Sequence, residues 1–454
     1  MRVIIVGSGK IGRYMVESLL KEGHDVVVVD NSEKVVDEIT NLYDVMAVCG
    51  NGVDWETLVE AGASQAELVA AITDSDEKNM LACFLARKVG ARHTIARIRN
   101  PEYNDASLGF IKEQLHLSMS INPEQLAAEE IYNLLKFPSA TKVESFSRRN
   151  FEMIELRLRN DTPLEGMKLS QMRQEYKGQY LVCAVQRGSD VFIPDGNFVL
   201  KGGDRVGITS TRSEASRLLK SLGLMQKQAR SIMILGGSRT AFYLAKMLLA
   251  SGNQVKIIEK DRNICRDLCE SLPKAVVLQG DGAQQEILME EGLEQQDAFV
   301  ALTGVDEENM LMSLFAESHK VPKVISKVNR EEMARLAEKL SLDTIISPGK
   351  IASDIIVRYA RALHNSEGSN IETLYHLMDG YAEALEFHVN AGSPVIGKPL
   401  KDMKFKKNTL IGGIIRDRSA IIPSGDDVIM AGDNVVIIGS EKRFADVADI
   451  LASQ

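Results

Sequence analysis

Val3-Ile4-Ile5-Val6-Gly7-Ser8-Gly9-Lys10-Ile11-Gly12 reads as a buried strand running through a glycine-rich turn into a helix, and Asp30 closes the next apolar run, Val26-Val27-Val28-Val29. Ile232-Met233-Ile234-Leu235-Gly236-Gly237-Ser238-Arg239-Thr240-Ala241 repeats the plan, and Glu259 follows Val255-Lys256-Ile257-Ile258. Gly236 stands 229 positions beyond Gly7, and Glu259 stands 229 beyond Asp30. One glycine fingerprint is a weak signal. One that is duplicated with its acidic partner, at a constant offset, is strong.

The repeat runs past the glycines. Thr73-Asp74-Ser75-Asp76-Glu77-Lys78-Asn79-Met80-Leu81 aligns with Thr303-Gly304-Val305-Asp306-Glu307-Glu308-Asn309-Met310-Leu311 at an offset of 230, with six of nine positions identical. Gly50-Asn51-Gly52 answers Gly280-Asp281-Gly282 at the same offset. Farther on, Phe192-Ile193-Pro194-Asp195-Gly196 pairs with Ile421-Ile422-Pro423-Ser424-Gly425, and Gly203-Asp204 with Gly432-Asp433. The repeated unit is therefore about half the chain, which means tandem domains and not a solenoid of short repeats. Length alone, 454 residues, suggests about three domains. The duplication sharpens this to four modules: 1–137, 138–230, 231–366 and 367–454.

Strands are expected near 2–6, 25–29, 45–48, 68–72 and 94–98, with helices near 10–22, 33–41, 54–61 and 77–90. The second copy repeats the strands near 232–235, 254–258, 275–278, 298–302 and 323–327. Continuous apolar strands alternating with helices predict an α/β fold: two Rossmann-like, doubly wound parallel sheets covered on both faces. Asn122-Pro123 and Ser347-Pro348 each pair a capping side chain with a first-turn proline and so start a helix. The apolar stripes Ala127, Ile131, Leu134 and Ala352, Ile355, Tyr359 can face their own domain or cross to a partner subunit. Residues 138–230 and 367–454 carry short strands, turns at Arg187-Gly188-Ser189-Asp190 and Arg416-Asp417-Arg418-Ser419, and tight turns at Gly202-Gly203-Asp204 and Ala431-Gly432-Asp433. Each reads as a small α+β module with one closing helix.

Composition narrows the function. A hydrophobic fraction of 44% and a charged fraction of 26% describe an ordinary globular protein. The net charge of −9 argues against nucleic acid, whose binding rests on phosphate neutralisation. Residues 401–407 form the densest basic stretch, a solvated turn or an anion patch. With a first strand expected from Arg2 there is no room for a signal peptide, and no apolar run nears the roughly 18 residues of a membrane span. Any membrane role is expected to come through a partner. Five cysteines without C-x-x-C spacing fit a reducing compartment. Cys265 and Cys269 share a helix face, as a redox pair or as small core residues. No two of the seven histidines stand at helical ligand spacing, and no metal site is expected.

The glycine loop carries the chemistry. A dinucleotide fold needs glycine where the chain turns, glycine where backbone meets pyrophosphate, and a small residue where helix packs on strand. Gly7, Gly9 and Gly12 fill these places in order, and N–H groups at the helix start can bind phosphate oxygens. Asp30, 18 residues beyond Gly12, can accept both ribose hydroxyl protons while repelling a 2′-phosphate, which favours NAD over NADP. Loop and carboxylate together recognise adenosine diphosphate, which NAD, NADH, ADP and ATP share. Thr73 and Asp74 are expected at the crevice; Arg97 can meet a phosphate or pair with a carboxylate, and Lys327 is its counterpart. In the second copy Ser238 replaces the central glycine, Ala241 takes the packing position, Arg239 adds charge, and Glu259 keeps the ribose acceptor.

The duplicated glycine loops with Asp30 and Glu259, the Gly50-Asn51-Gly52 loop, the Thr73–Asn79 segment, the proline-started helices and the small C-terminal modules together resemble the RCK (KTN) regulators of potassium transport. The likeness covers the whole chain. It implies peripheral cytoplasmic proteins that form homo-oligomeric rings at the inner face of the membrane, under a potassium-conducting subunit, with no reaction catalysed. It also implies NAD or NADH contacts at Gly7, Ser8, Gly9, Lys10, Ile11, Asp30, Thr73, Asp74 and Ile98, and at Gly236, Gly237, Ser238, Arg239, Thr240 and Glu259. Ser238, Ala241 and Gly304 are where the second copy departs from the pattern. The rival reading is an NAD-dependent oxidoreductase, which needs a general acid or base in a substrate domain. Residues 138–230 hold no histidine, and their counterpart holds only His376 and His388. A redox-sensing DNA repressor would need a basic surface and a recognition helix, and neither is visible in the sequence.

Overall fold

Aliphatic side chains of the first strands alternate between two buried faces, and helices cover both. The computed structural model describes all residues except 104, 147–150, 160–161, 225–226, 341, 343, 366–370, 379–380, 418, 441–443, 445 and 453–454. In chain order the first module holds β1 (Arg2–Val6), α1 (Lys10–Lys21), β2 (Asp25–Asp30), α2 (Glu33–Leu42), β3 (Met46–Cys49), α3 (Trp55–Glu60), β4 (Leu68–Ala71), α4 (Asp76–Val89), β5 (His93–Arg97), α5 (Asp105–Gln114), β6 (Met119–Ile121) and α6 (Pro123–Lys136). The second holds β7 (Lys142–Phe146), β8 (Phe151–Arg157), α7 (Leu169–Glu175), β9 (Tyr180–Arg187), β10 (Asp190–Phe192), β11 (Arg205–Thr211) and α8 (Arg212–Ser221). The third repeats the first: β12 (Ser231–Leu235), α9 (Arg239–Ala250), β13 (Gln254–Glu259), α10 (Arg262–Ser271), β14 (Val276–Gln279), α11 (Gln285–Glu290), β15 (Ala298–Ala301), α12 (Asp306–Ser318), β16 (Lys323–Lys327), α13 (Glu331–Lys339), β17 (Ile345–Ile346) and α14 (Pro348–Asn365). The last holds β18 (Ile371–Leu377), β19 (Ala382–His388), β20 (Thr409–Arg416), β21 (Ser419–Ile421) and β22 (Asn434–Gly439).

These elements gather into two units, Met1–Tyr132 with Arg230–Ala360 and Asn133–Ala229 with Arg361–Gln454. The first unit contains two parallel sheets of six strands, ordered β3-β2-β1-β4-β5-β6 and β14-β13-β12-β15-β16-β17. Sheet order reverses between β1 and β4, and again between β12 and β15, so the crevice above those strand ends is the switch point where such sheets bind ligands. The sixth strands and α5 and α13 were not among the sequence expectations. β6 and β17 are three and two residues long, too short for any periodicity to register.

Val3, Ile5, Val26, Val28, Leu68 and Ala70 pack on the buried stripe Ile11, Met15, Val16 and Leu19 of α1. Ile4, Val6, Val27, Val29 and Val69 pack oppositely on Leu58 of α3 and Ala82, Cys83 and Ala86 of α4. The α1 face is completed from the other repeat, since Ala352, Ile356, Val357 and Ala360 of α14 join its core. Each large aliphatic side chain so buried contributes about 1.5–3 kcal/mol. A Cβ on Gly349, in the first turn of α14, would stand 3.0 Å from the Tyr14 ring. Burial pushes the Tyr14 phenol up to about 12, against the opposing hydrogen bond with Ser347. The other repeat answers in kind. Asn122 Nδ2 donates to Tyr243 Oη at 3.0 Å, Tyr243 Oη donates to the Arg99 carbonyl at 2.8 Å, and Tyr132 of α6 bonds Ser251. The two proline-started helices therefore link the two repeats within one chain, a third outcome beside the two their stripes left open.

In the second unit the antiparallel sheets run β10-β9-β11-β8-β7 and β18-β19-β22-β20-β21, again one topology twice. Phe146, Phe151, Met153 and Cys183 share a core with Tyr375, Leu377, Ala384, Val436 and Ile438. Both tight turns are tied by the same device: Arg187 binds Asp204 through two bonds of 2.8 Å, and Arg416 binds Asp433 likewise. Gly188 (φ +61°) and Asp417 (φ +46°) make the hairpin turns, with Arg418 outside the described residues. The first closing helix is α8, whose cap Thr211 accepts from the Glu214 N–H at 3.4 Å. In the second, the described residues give a 3₁₀ turn, Val447–Ile450, and residues 441–443 and 445, where the expected helix would begin, lie outside them. The boundary expected at 366/367 falls outside the described residues. Within the basic stretch 401–407, Lys401 pairs with Asp426 at 2.6 Å on an exposed surface.

No helix among the described residues is long and apolar enough to cross a membrane. Cys265 is buried and donates to the Glu259 carbonyl at 3.3 Å, whereas Cys269 is exposed, so only the first is a core residue.

Candidate nucleotide-binding site

The first glycine loop leaves β1 at Gly7, whose φ of +97° and close approach to Thr73 exclude a side chain. A Cβ there would lie 2.9 Å from the Thr73 nitrogen. Gly7 N donates to the Val29 carbonyl at 2.8 Å, which fixes the loop against β2. Ser8 is buried, and its N–H donates to Asp30 Oδ2 at 2.7 Å, while Asp30 Oδ1 accepts from Ser32 N at 3.0 Å. Asp30 therefore stands half-buried at the end of β2, braced by two amides and with acceptor capacity left over. Gly9 caps α1 without any side-chain hydrogen bond, and nothing lies within 4 Å of where its Cβ would be. The first turn of α1 carries no acidic residue and no side chain caps it, so its N–H groups and dipole are left for a ligand at the open Gly9 position. Gly12 is different: its Cβ would meet the Gly7 carbonyl oxygen at 2.4 Å, which makes it the packing glycine. Lys10 is exposed beside the loop, and Ile11 and Ile98 are buried in the cores behind it.

Thr73 closes the other side of the crevice. Asn79, fully buried in the first turn of α4, accepts from Thr73 N at 2.8 Å and Thr73 Oγ1 at 2.7 Å. Its amide donates to the carbonyls of Thr73 at 3.3 Å and Arg97 at 2.9 Å, tying the ends of β4 and β5 together. Asp74 is exposed, and its carbonyl accepts from Arg99. Asn79 belongs to the repeated segment but was not read as a brace; its recurrence as Asn309, with the same bonds to Thr303 and to the Lys327 carbonyl, was the available signal. We predict that Asn79→Ala costs about 2–3 kcal/mol, because four backbone or hydroxyl partners lose their mate in a buried place. Chemical denaturation of the two proteins checks it.

Arg97 does not stand free at the crevice. Its guanidinium, 14% exposed, donates to Glu124 of α6 at 2.8 Å. Its counterpart Lys327 is buried, donates to the Leu302 carbonyl at 3.0 Å, and has its ammonium pushed down to about 8 by burial, against the pull of Glu124 and Asp306. The unfolded chain thus binds more protons than the folded one between about pH 8 and the ordinary lysine value of 10.5, so the penalty is full below pH 8 and fades above it. Lys327→Met is expected to stabilise the chain by about 1–2 kcal/mol at pH 7, after loss of the Leu302 bond, with the gain shrinking towards pH 10. Denaturant midpoints across that range test the sign.

The second loop repeats the architecture and changes the chemistry. Gly236 keeps a φ of +92°, and Gly237 N donates to Glu259 Oε2 at 2.5 Å while Asp261 N donates to Oε1 at 2.7 Å. Ser238, however, caps α9, its hydroxyl accepting from Ala241 N at 3.4 Å. That donor is the kind an incoming phosphate needs. Gly237 is hemmed in as well, since its Cβ would lie 2.7 Å from Ile264. Arg239 is exposed and Thr240 buried. Asn51 and Lys78 of the first copy become Asp281 and Glu308, and burial, together with Asp281 and Glu259, pushes the Glu308 carboxyl up. The second crevice is therefore the more hostile to a polyanion. No cluster fit to hold a metal occurs among the described residues. Of the histidines weighed for a dehydrogenase, His388 faces Asn434 Oδ1 at 3.0 Å, and the His376 side chain lies outside the described set.

The TrkA-N domain model matches residues 3–110 and 232–348, and the TrkA-C domain model matches 153–223 and 384–452. The chain is 32% identical over 431 residues to a Trk system potassium uptake protein TrkA homolog of Archaeoglobus fulgidus, covering 94% of this chain and 95% of that protein. It is 30% identical over 458 residues to the Trk system potassium uptake protein TrkA of Vibrio alginolyticus, covering 100% and 98%. The solved GsuK channel bound to NAD superposes with a TM-score of 0.62 at 18% identity, over 96% of this chain and 76% of that one, a likeness of fold.

Proposed function

Because this chain belongs to the TrkA family of potassium-uptake proteins, with a role in regulating potassium transport, we propose that it is the nucleotide-sensing subunit of such a system. The observation that carries the reading is the first loop, where an uncapped helix start and a braced Asp30 face open space together. An adenosine diphosphate moiety fits this pair: amides and dipole take the pyrophosphate, and the carboxylate accepts the ribose hydroxyls. NAD or NADH is the proposed ligand, with ADP and ATP competing for the same place, and the NAD-bound channel of the same fold supports the choice. Gly7, Ser8, Gly9, Lys10, Ile11, Gly12, Asp30, Thr73 and Asp74 would line it. The second loop is proposed as a weak site or an empty one.

The partner is proposed to be a membrane potassium-conducting subunit of the TrkH/TrkG type, with this chain as a homo-oligomer on its cytoplasmic side. Ligand shifts such an assembly only by its difference in affinity for two states, about 1.4 kcal/mol per tenfold. The nucleotide acts as a signal and is not turned over. A thermal-shift comparison of NAD, NADH, ADP and ATP on the full chain tests the binding, since a ligand at 100 times its Kd adds about 2.7 kcal/mol to the folded state. Potassium flux through the reconstituted partner tests the regulation. A midpoint unmoved at millimolar ligand, or steady oxidation of NADH with a carbonyl compound, contradicts the proposal.

A further inference from the structure

At the amino-terminal end of the first sheet's strands, where α4 ends and β5 begins, lies a depression of about 420 Å³. Phe84 and Leu115 supply its apolar lining, and Arg87, Lys88, Arg92 and His116 supply its charge-bearing groups. None of the residues lining it is acidic. Glu67 stands 3.8 Å from Arg92 as a loose counter-charge, and the Arg92 side chain remains 69% exposed. Lys88 Nζ stands 5.4 Å from the centre of the Phe84 ring, and Arg87 spends one nitrogen on the carbonyls of Ala91 and Arg92. The cluster's field is felt nearby: His93 is held below its ordinary pKa by burial, then by Arg87 and Arg92.

Basic residues at a helix C-terminus have a plain structural use, because they complement the dipole. The duplicate shows that this fold does not need them. At the corresponding positions the second copy carries Glu317, Ser318, Pro322 and Ser341, while keeping the same helix and strand. Three fixed cations drawn together in a chain of net charge −9 repel one another unless an anion joins them. They converge on one concavity of small-molecule size and are not strung along a helix face, which favours a compact ligand over an extended one. Guanidinium forks match phosphate geometry.

We infer that this depression is a second anion site, built only into the first copy, for a small ligand bearing adjacent phosphate groups. It lies at the strand end opposite the glycine loop and does not depend on what that loop binds. Tripolyphosphate, titrated calorimetrically into the full chain at low salt, is the probe. Lys88→Ser with His116→Asn imports neutral groups, asparagine suiting the left-handed backbone at His116 (φ +52°). That double variant is expected to bind at least fivefold more weakly, with an unchanged thermal midpoint, and Arg92→Gln likewise. The glycine loop can itself take linked phosphates, so the same titrations are run in a Gly9→Ser background, where the fivefold loss on adding the double substitution should persist. NAD affinity in the double variant should also stay as it was, which separates this site from the nucleotide reading. No heat at millimolar probe in the Gly9→Ser background, or equal affinity there with and without the double substitution, would each overturn the assignment.

Discussion

Gly7→Ala is expected to destabilise the chain by about 3–5 kcal/mol. Two costs add. At φ +97° an alanine pays for a backbone region that L-residues avoid, about 1–2 kcal/mol. Its Cβ would also press on the backbone of Thr73 at 2.9 Å, and Thr73 cannot yield because Asn79 holds its N–H, carbonyl and hydroxyl. The second copy supports the assignment, as Gly236 has φ +92° and the same closeness to Thr303. Gly9→Ala is the control: with open space around it, stability should change by no more than about 0.5 kcal/mol. Equal midpoints in Gly7→Ala and wild type would mean that the loop is not held as described.

Asp30→Ala is expected to weaken adenine-nucleotide binding by about 1.5–3 kcal/mol, roughly 10- to 150-fold. Both carboxylate oxygens already accept an amide, from Ser8 at 2.7 Å and Ser32 at 3.0 Å, so the group is oriented before any ligand arrives. Ribose hydroxyls would take the remaining lone pairs, and a hydrogen bond to a charged acceptor is the strong kind. Removing the carboxylate also leaves the buried Ser8 N–H without its acceptor, which should cost about 1 kcal/mol of stability. Affinity and stability therefore fall together, the first far more steeply. Titration calorimetry on the folded variant reads the difference, and unchanged affinity contradicts the site.

Much of this was legible in the chain because the glycine loop is written in local constraints. A turn at positive φ, an open approach and a packing contact each demand glycine for a separate reason, and Gly7, Gly9 and Gly12 meet them in that order. Asp30 was legible as the carboxylate that closes the apolar run Val26–Val29, and it ends β2. What escaped depended on tertiary choices. An apolar stripe says that a helix is covered, and only the fold says that α14 covers the first repeat's sheet through Ala352, Ile356 and Val357. β6 and β17 carry too few residues to show a period. Asn79 looked like one more match in a repeat, although its four bonds hold the crevice open. Arg97 was visible as a cation, but its engagement by Glu124, 27 positions away, was not.

The asymmetry between the copies is the part most exposed to test. Ser238 in place of Gly9 gives the second helix a cap of its own, and Asp281 and Glu308 add negative charge where the first copy has Asn51 and Lys78. A phosphate entering there must displace the serine and approach carboxylates; at the first loop it meets free amides. Calorimetric titration of NADH into wild type, Asp30→Ala and Glu259→Ala, read for both affinity and sites per chain, examines this directly. One strong site per chain, lost in Asp30→Ala and kept in Glu259→Ala, is the predicted result; two equal sites, or a strong site that survives Asp30→Ala, would contradict it.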